Sequence, residues 1–151
     1  MRALSLCFPV ALIAGGCAEP NSLTGSIDQS HDLGFETVEL RLLSGQLAYE
    51  LKYLKALEGG GDDTVAKVVF DQPAGGVVVD AELDLLELNG RVERFTAAND
   101  PFPAVLQKAS ATFAAGGNDA GDPTTGSFAA TFDSGKTLNG SFDVALEVVD
   151  F

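Results

Sequence analysis

The sequence is poor in the side chains on which many catalytic and metal sites depend. It contains two cysteines, one histidine and no tryptophan among 151 residues. Cys7 and Cys17 both lie near the N-terminus, so residues 18–151 hold no cysteine for a disulfide, a thiolate metal site or a nucleophile. Metal sites that need two histidines, or histidine together with cysteine, are therefore excluded from that part of the chain.

Cationic side chains are also scarce. Nine Lys and Arg oppose 22 Asp and Glu. Arg2 is the only charged residue in the first 16, so residues 17–151 keep eight cationic and all 22 acidic side chains, a net charge of −14. Such a surface repels nucleic acids and anionic lipid headgroups, and we expect neither to bind the folded part.

The first 17 residues contain a short cationic start, an apolar segment and a cysteine that follows small residues. Met1–Arg2 forms a short positive region, and Ala3 to Ala14 form an apolar segment too short for a permanent membrane span. The following stretch, Leu12 to Cys17, resembles a lipobox, in which small residues precede the cysteine that receives a diacylglyceryl group. The match departs from the usual pattern at Ala14, where leucine is preferred. An ordinary secretory leader cut nearby is the alternative.

This interpretation divides the chain into a signal peptide over 1–16, a lipidated tether over 17–21 and one all-β domain over 22–151. The lipidation site is Cys17. Each buried methylene of an acyl chain contributes about 0.8 kcal/mol, so the two ester-linked chains of a lipoprotein cysteine anchor stably. Ala18 stands where many inner-membrane lipoproteins carry aspartate. By resemblance, we expect a cell-envelope protein anchored in the outer membrane.

Apolar residues of the domain recur with a period of two, which predicts strands. About eight short strands separated by turn signals, with no predicted helix, favour an antiparallel β-sandwich, with a partly open barrel as the alternative. Parallel pairing would require crossover helices that the sequence does not predict. After a short first strand at 23–27, the predicted strands are 33–43, 46–53, 64–70, 77–85, 91–97, 108–115, 127–132 and 137–149.

Two hairpins and one plug are predicted from local signals. Asn89–Gly90 is typical of a tight type I′ turn between strands 77–85 and 91–97. Asp133 to Lys136 connects the last two strands. Phe102 lies between two prolines and is predicted to close one end of the core, with an exposed contact as the alternative.

The closing segment, from Gly126 to Asp143, resembles the C-terminal hairpin of small uncharacterised bacterial β-sheet lipoproteins in its GSF, TFDSGK and LNGSFD runs. The opening LTGS run at 23–26, the DLGF run at 32–35 and the segment Asn89–Phe95 are similar to that group too. The resemblance covers most of residues 17–151. It implies a lipidated, all-β surface protein and no particular activity.

Two sets of polar residues invite a catalytic interpretation. Ser30, His31 and Asp32 are adjacent, but triad members must converge in space with the base in the middle, so we expect a solvated loop histidine. Asp80, Glu82 and Asp84 share one face of a predicted strand, with neighbours about 7 Å apart. Such carboxylates suit glycoside hydrolysis, but an exposed face kept soluble by charge is favoured.

A calcium site is the best ligand hypothesis that the sequence offers. Asn118, Asp119 and Asp122 lie in the glycine-rich segment 116–126 and could supply hard oxygen ligands. Asp62 and Asp63 form a second acidic loop. Neither loop has the alternating spacing of an EF-hand.

The sequence therefore predicts a non-enzymatic, lipid-anchored β-sandwich that contacts an envelope protein or glycan. The competing interpretation is a module that binds calcium or a glycan through loops 59–63 and 116–126. A hydrolase that uses the carboxylates at positions 80–84 is the third.

Overall fold

A computed structural model describes residues 20–150, which fold into nine β-strands and one 3-10 turn at Ser26–Gln29. No helix in these residues is long and apolar enough to cross a membrane. The predicted signal peptide and Cys17 lie outside the described residues. The strands are β1 (Ser22–Thr24), β2 (Thr37–Leu43), β3 (Ala48–Ala56), β4 (Asp62–Asp71), β5 (Glu82–Asp84), β6 (Arg91–Phe95), β7 (Leu106–Ala115), β8 (Pro123–Phe132) and β9 (Thr137–Val149).

The strands form two hydrogen-bonded sheets that share β9. Sheet A contains β5, β7, β8, the first part of β9 and β1, and sheet B contains the last part of β9 with β2, β3, β4 and β6. Residues 137–145 of β9 pair with β8, whereas residues 146–149 pair with β2. Because one long strand serves both sheets, the structure is a curled half-barrel whose two halves pack face to face. The predicted all-β sandwich or open barrel is confirmed.

The core lies between the two sheets and is centred on aromatic rings. Tyr49 of β3 packs against Phe113 of β7 at a ring-centroid distance of 5.7 Å, and Tyr53 packs against Phe128 at 6.1 Å. Phe102 is 6% exposed, and its ring lies 5.8 Å from that of Phe132. The predicted plug at one end of the core is confirmed.

The predicted hairpin between the last two strands is also confirmed. Its register places Phe128 opposite Gly140 and Ala130 opposite Leu138. The missing side chain at Gly140 makes room for aromatic rings, since a Cβ atom there would approach the Tyr53 hydroxyl to 2.7 Å.

The predicted strand over residues 77–85 is wrong in its length. Only Glu82–Asp84 forms a strand, and Val78 and Val79 are 65% and 45% exposed. Asp80 adopts a φ of 62°, which interrupts an extended backbone, and its N–H donates to the Phe113 carbonyl at 2.8 Å. Alternating apolar residues therefore indicated more strand than this segment forms.

The predicted Asn89–Gly90 hairpin is also wrong. β5 pairs with β7 in sheet A, whereas β6 pairs with β4 in sheet B, so the segment between them crosses from one sheet to the other. Asn89 has a φ of 53°, but Gly90 does not have the positive φ that a type I′ turn requires. Glycine is needed at position 90 for another reason. The Gly90 N–H donates to the Leu85 carbonyl at 2.5 Å, and the two backbones are so close that a Cβ atom would not fit between them.

One strand pair departs from the predicted antiparallel arrangement. β2 and β9 are parallel, from Leu40 opposite Leu146 to Leu43 opposite Val149. A crossover helix is the usual connection between parallel strands that follow one another in sequence. Here β3 to β8 lie between the two partners, so the intervening sheet makes the connection without a helix.

Candidate interaction surface

The outer surface of sheet B is covered by ionised side chains. Strand alternation directs Leu40 and Leu42 of β2 into the core and turns their neighbours outward, and the other strands of the sheet follow the same rule. We call the outward set the charged face. Its members are Glu39, Arg41, Glu50, Lys52, Lys67, Arg91, Glu93 and Glu147.

The strand register places opposite charges beside one another on this face. Glu39 lies opposite Lys52, and Arg41 lies opposite both Glu50 on one side and Glu147 on the other. Cross-strand pairs of opposite charge stabilise a sheet by about 0.2–1 kcal/mol each. The face therefore holds four positive and four negative side chains, most of them beside an opposite charge, although its two lysines lie directly opposite each other on β3 and β4.

Glu50 is the centre of the charged face. It is 8% exposed, and its carboxylate accepts hydrogen bonds from the Lys52 ammonium at 2.6 Å and the Lys67 ammonium at 3.0 Å. Burial by itself raises the pKa of Glu50, but the two hydrogen bonds and the charges of the lysines outweigh burial, and the pKa lies below its ordinary value. Glu50 therefore stays ionised and fixes both lysine side chains.

The two arginines of the face make more exposed ion pairs. Arg41 contacts Glu147 at 2.7 Å and Glu39 at 3.1 Å, and Arg91 contacts Glu93 at 3.1 Å. Exposed pairs of this kind contribute about 0–1 kcal/mol. Their effect is to orient the guanidinium groups rather than to hold the fold together.

A shallow cleft of about 360 Å³ opens among these side chains. Among the charged residues of its lining, the four cations Arg41, Lys52, Lys67 and Arg91 outnumber the single carboxylate of Glu50, and the other lining residues are uncharged. These cations are four of the eight cationic side chains of residues 17–151. Amine and guanidinium donors in this arrangement can hold a carboxylate, phosphate or carbonyl oxygen of a partner.

The three residues of the calcium hypothesis lie in one loop between β7 and β8. Asn118 uses its amide against the backbone of Val77, accepting from the N–H at 2.8 Å and donating to the carbonyl at 2.9 Å. Asp122 accepts from the Asp119 N–H at 3.3 Å. Among residues 20–150, no group of three or more His, Cys, Asp or Glu side chains could hold a metal ion. The calcium site remains a prediction.

The three carboxylates of the hydrolase hypothesis do not lie on one long strand. Glu82 and Asp84 point outward from β5, while Asp80 precedes the strand in its left-handed conformation. The Asp84 carboxylate accepts from the Leu86 N–H at 2.9 Å. The backbone change at Asp80 thus removes the shared strand face on which the hypothesis depended.

Ser30 and His31 contact each other, but Asp32 has other partners. The Ser30 hydroxyl lies 2.9 Å from Nδ1 of His31, whose Nε2 faces the Pro101 carbonyl at 3.2 Å. Asp32 instead accepts from Lys55 at 2.9 Å and from the Gly34 N–H at 2.9 Å. The carboxylate does not orient the imidazole. His31 packs edge-on against Phe102 and connects the loop after the 3-10 turn to the plug.

A buried arginine beneath the plug was not predicted from the sequence. The side chain of Arg94 is 4% exposed and forms two hydrogen bonds to the Asp100 carboxylate, both at 3.1 Å. It also donates to the Asp32 carbonyl at 2.9 Å and the Val65 carbonyl at 3.0 Å. The strand pattern RVERF gives a signal, since Arg94 shares the inward face with Val92. The cluster fastens the 97–103 loop to sheet B.

Comparison with known proteins supplies no relative: no family model, no curated protein and no solved structure matches this chain.

Proposed function

We propose that the protein is a lipid-anchored component of the bacterial cell envelope whose β-sandwich is a non-catalytic interaction module, and that the charged face binds its partner. The observation that carries the proposal is the gathering of four of eight cationic side chains at one cleft. Residues 17–151 carry a net charge of −14, so most of their surface repels acidic partners.

Ion pairing makes the charged face suited to specific contact. Four positive and four negative side chains balance one another there, and Glu50 and its two lysines are held in place by short hydrogen bonds. Charges that are already oriented select partners by complementarity and add less ordering cost on binding. The partner chemistry that fits is an envelope protein or glycan that presents anionic or carbonyl oxygens to the cleft.

The proposed lipid anchor is inferred from the N-terminal sequence. The apolar segment that ends in Gly15–Gly16–Cys17 resembles a lipobox, and β1 begins at Ser22, next to the proposed tether. A lipidated cysteine would supply membrane attachment without a membrane-binding surface on the sandwich.

Site-specific photo-crosslinking in intact cells tests the partner-binding role. A photoreactive amino acid at Glu39, on the rim of the charged face, is expected to give a discrete crosslinked product. The same probe at Ser127 of sheet A is expected to give none. Reversal of one cleft cation by Arg91→Glu should abolish the product, since it places a repulsive charge in the cleft.

The matched control for this charge reversal is Lys108→Glu. Lys108 is an exposed cation on β7, so the substitution changes the net charge equally but leaves the cleft intact. Crosslinking that persists in Arg91→Glu, or that is lost equally in Lys108→Glu, would contradict the assignment of the charged face.

A further inference from the structure

The outer face of sheet A differs from the rest of the surface because its centre is polar and uncharged. The register aligns Thr112, Ser127 and Ser141 in one row and Ser110, Ala129 and Asn139 in the next. We call these six residues the hydroxyl face. Charged neighbours occur only around it, with Glu82 and Asp84 on β5, Lys108 on β7 and Asp143 on β9.

The chain enters the fold across this face. Asn21 accepts a hydrogen bond from the Asp143 N–H at 2.8 Å, and the Ser22 hydroxyl lies 2.7 Å from that of Ser141. Pro20 then lines a cleft together with Thr112 of β7 and Ser127 of β8. The described chain therefore begins over sheet A, at Pro20, and not over the edge of sheet B.

The tether is too short to allow a free orientation. Cys17 lies three residues before Pro20, and an extended chain advances at most about 3.6 Å per residue, so the two Cα atoms are within roughly 11 Å of each other. An acylated sulfur at Cys17 must lie in the headgroup region. The part of the sandwich nearest to Pro20 is then held close to the membrane surface.

The chemistry of the face is compatible with the same orientation. Its six residues carry no charge, so no ion at its centre has to lose hydrating water when the face approaches the headgroups. The hydroxyls and the amide of the hydroxyl face can also exchange hydrogen bonds with headgroup oxygens. The charged face lies on the opposite side of the sandwich.

We propose that the hydroxyl face lies against the headgroups of the membrane that holds the anchor, so that the charged face points away from the bilayer. This orientation rests on the proposed lipidation of Cys17. In this orientation the fold has two contact surfaces, one on sheet A for the membrane and one on sheet B for the partner.

Fluorescence quenching by lipid-borne nitroxides tests the orientation. The lipidated full chain is reconstituted in vesicles of phosphatidylethanolamine and phosphatidylglycerol that contain a headgroup-labelled nitroxide lipid. Single cysteines for a fluorophore are introduced by Ser127→Cys or Ala129→Cys on the hydroxyl face, and by Arg91→Cys or Glu39→Cys on the charged face. Residues 18–151 have no native cysteine, so each label is unique once Cys7 is replaced by serine in every protein.

We expect several-fold more quenching at positions 127 and 129 than at positions 91 and 39. The Cys17→Ser variant of each labelled protein is the control and should show no quenching at any position. Equal quenching of the two faces, or more at position 91, would overturn the orientation while leaving the anchor intact. If the wild-type chain fails to float with the vesicles, the lipid anchor itself is wrong and the orientation fails with it.

Discussion

The outer faces of the two sheets are built on the same core but have opposite chemistry. Sheet B displays long ionised side chains that pair across strands, such as Arg41 with Glu147, whereas sheet A displays short hydroxyls, such as Ser127 and Ser141. Because side chains alternate along a strand, the outward residues can change without disturbing the inward ones. The comparison shows how one sandwich can provide two distinct contact surfaces.

The largest expected effect is a decrease in the free energy of unfolding when the buried guanidinium of Arg94 in sheet B is removed. Arg94→Met removes the partner of Asp100 and leaves the Asp32 and Val65 carbonyls without their donor. Each carbonyl that loses its donor costs about 1–3 kcal/mol, and the pair with Asp100, whose side chain is 34% exposed, adds a smaller contribution, so we expect a total loss of about 2–5 kcal/mol. Urea unfolding should show a loss of this size in Arg94→Met and almost none in the exposed control Lys108→Met. Similar small losses in both variants would contradict the role of Arg94 as a fastening of the 97–103 loop.

A smaller loss is expected when the centre of the charged face is neutralised. Glu50→Gln leaves the ammonium groups of Lys52 and Lys67 close together without their shared carboxylate. Loss of hydrogen bonds to a charged group predicts a decrease of about 1–3 kcal/mol in the free energy of unfolding. The comparison variant Ser127→Ala on the hydroxyl face should stay within about 0.5 kcal/mol of wild type. Equal effects would mean that the two faces do not differ as described.

Acid should weaken sheet B through Asp100. Hydrogen bonds from Arg94 and Thr96 lower the pKa of the Asp100 carboxyl from its ordinary 3.8 to about 2. Because the folded-state pKa is the lower one, its stabilising contribution is complete above about pH 4 and is lost as the pH falls toward 2. Thermal melts at a series of pH values should show a shallower acid decline in Asp100→Asn. An identical decline in the two proteins would refute this assignment.

The smallest expected effect is that of calcium on the loop beside sheet A. The side-chain oxygen of Asn118 already accepts a hydrogen bond from the Val77 N–H, so we expect millimolar calcium to leave the melting temperature unchanged. A ligand that binds the native state selectively would raise it. A rise that disappears in an Asp119→Asn/Asp122→Asn variant would favour the calcium-binding alternative instead.

Local signals in the sequence predicted those parts of the fold that local chemistry determines. The alternation of Phe128, Ala130 and Phe132 and the Asp133–Lys136 turn gave the correct closing hairpin, and the prolines around Phe102 indicated the plug. The hairpin predicted at Asn89–Gly90 is wrong because the two flanking strands belong to different sheets. A dipeptide contains no information about which sheet each flanking strand joins.

The charged face depends on how strands that are distant in sequence pair with one another, and local sequence patterns do not predict that pairing. The alternation of Glu39 with Arg41, and of Glu50 with Lys52, indicated only solvent-facing residues. Arg41 lies between Glu50 and Glu147 because β2 pairs with β3 on one side and with β9, which is distant in sequence, on the other. The cleft could therefore be recognised only once the strands were placed.

We propose that an acylated Cys17 attaches an acidic β-sandwich to an envelope membrane. Growth with labelled palmitate followed by membrane fractionation measures both the acylation and the attachment. We expect label in the wild-type protein, its recovery with the membrane, and loss of both in Cys17→Ser. A wild-type protein without label, together with a Cys17→Ser variant that still fractionates with the membrane, would contradict it.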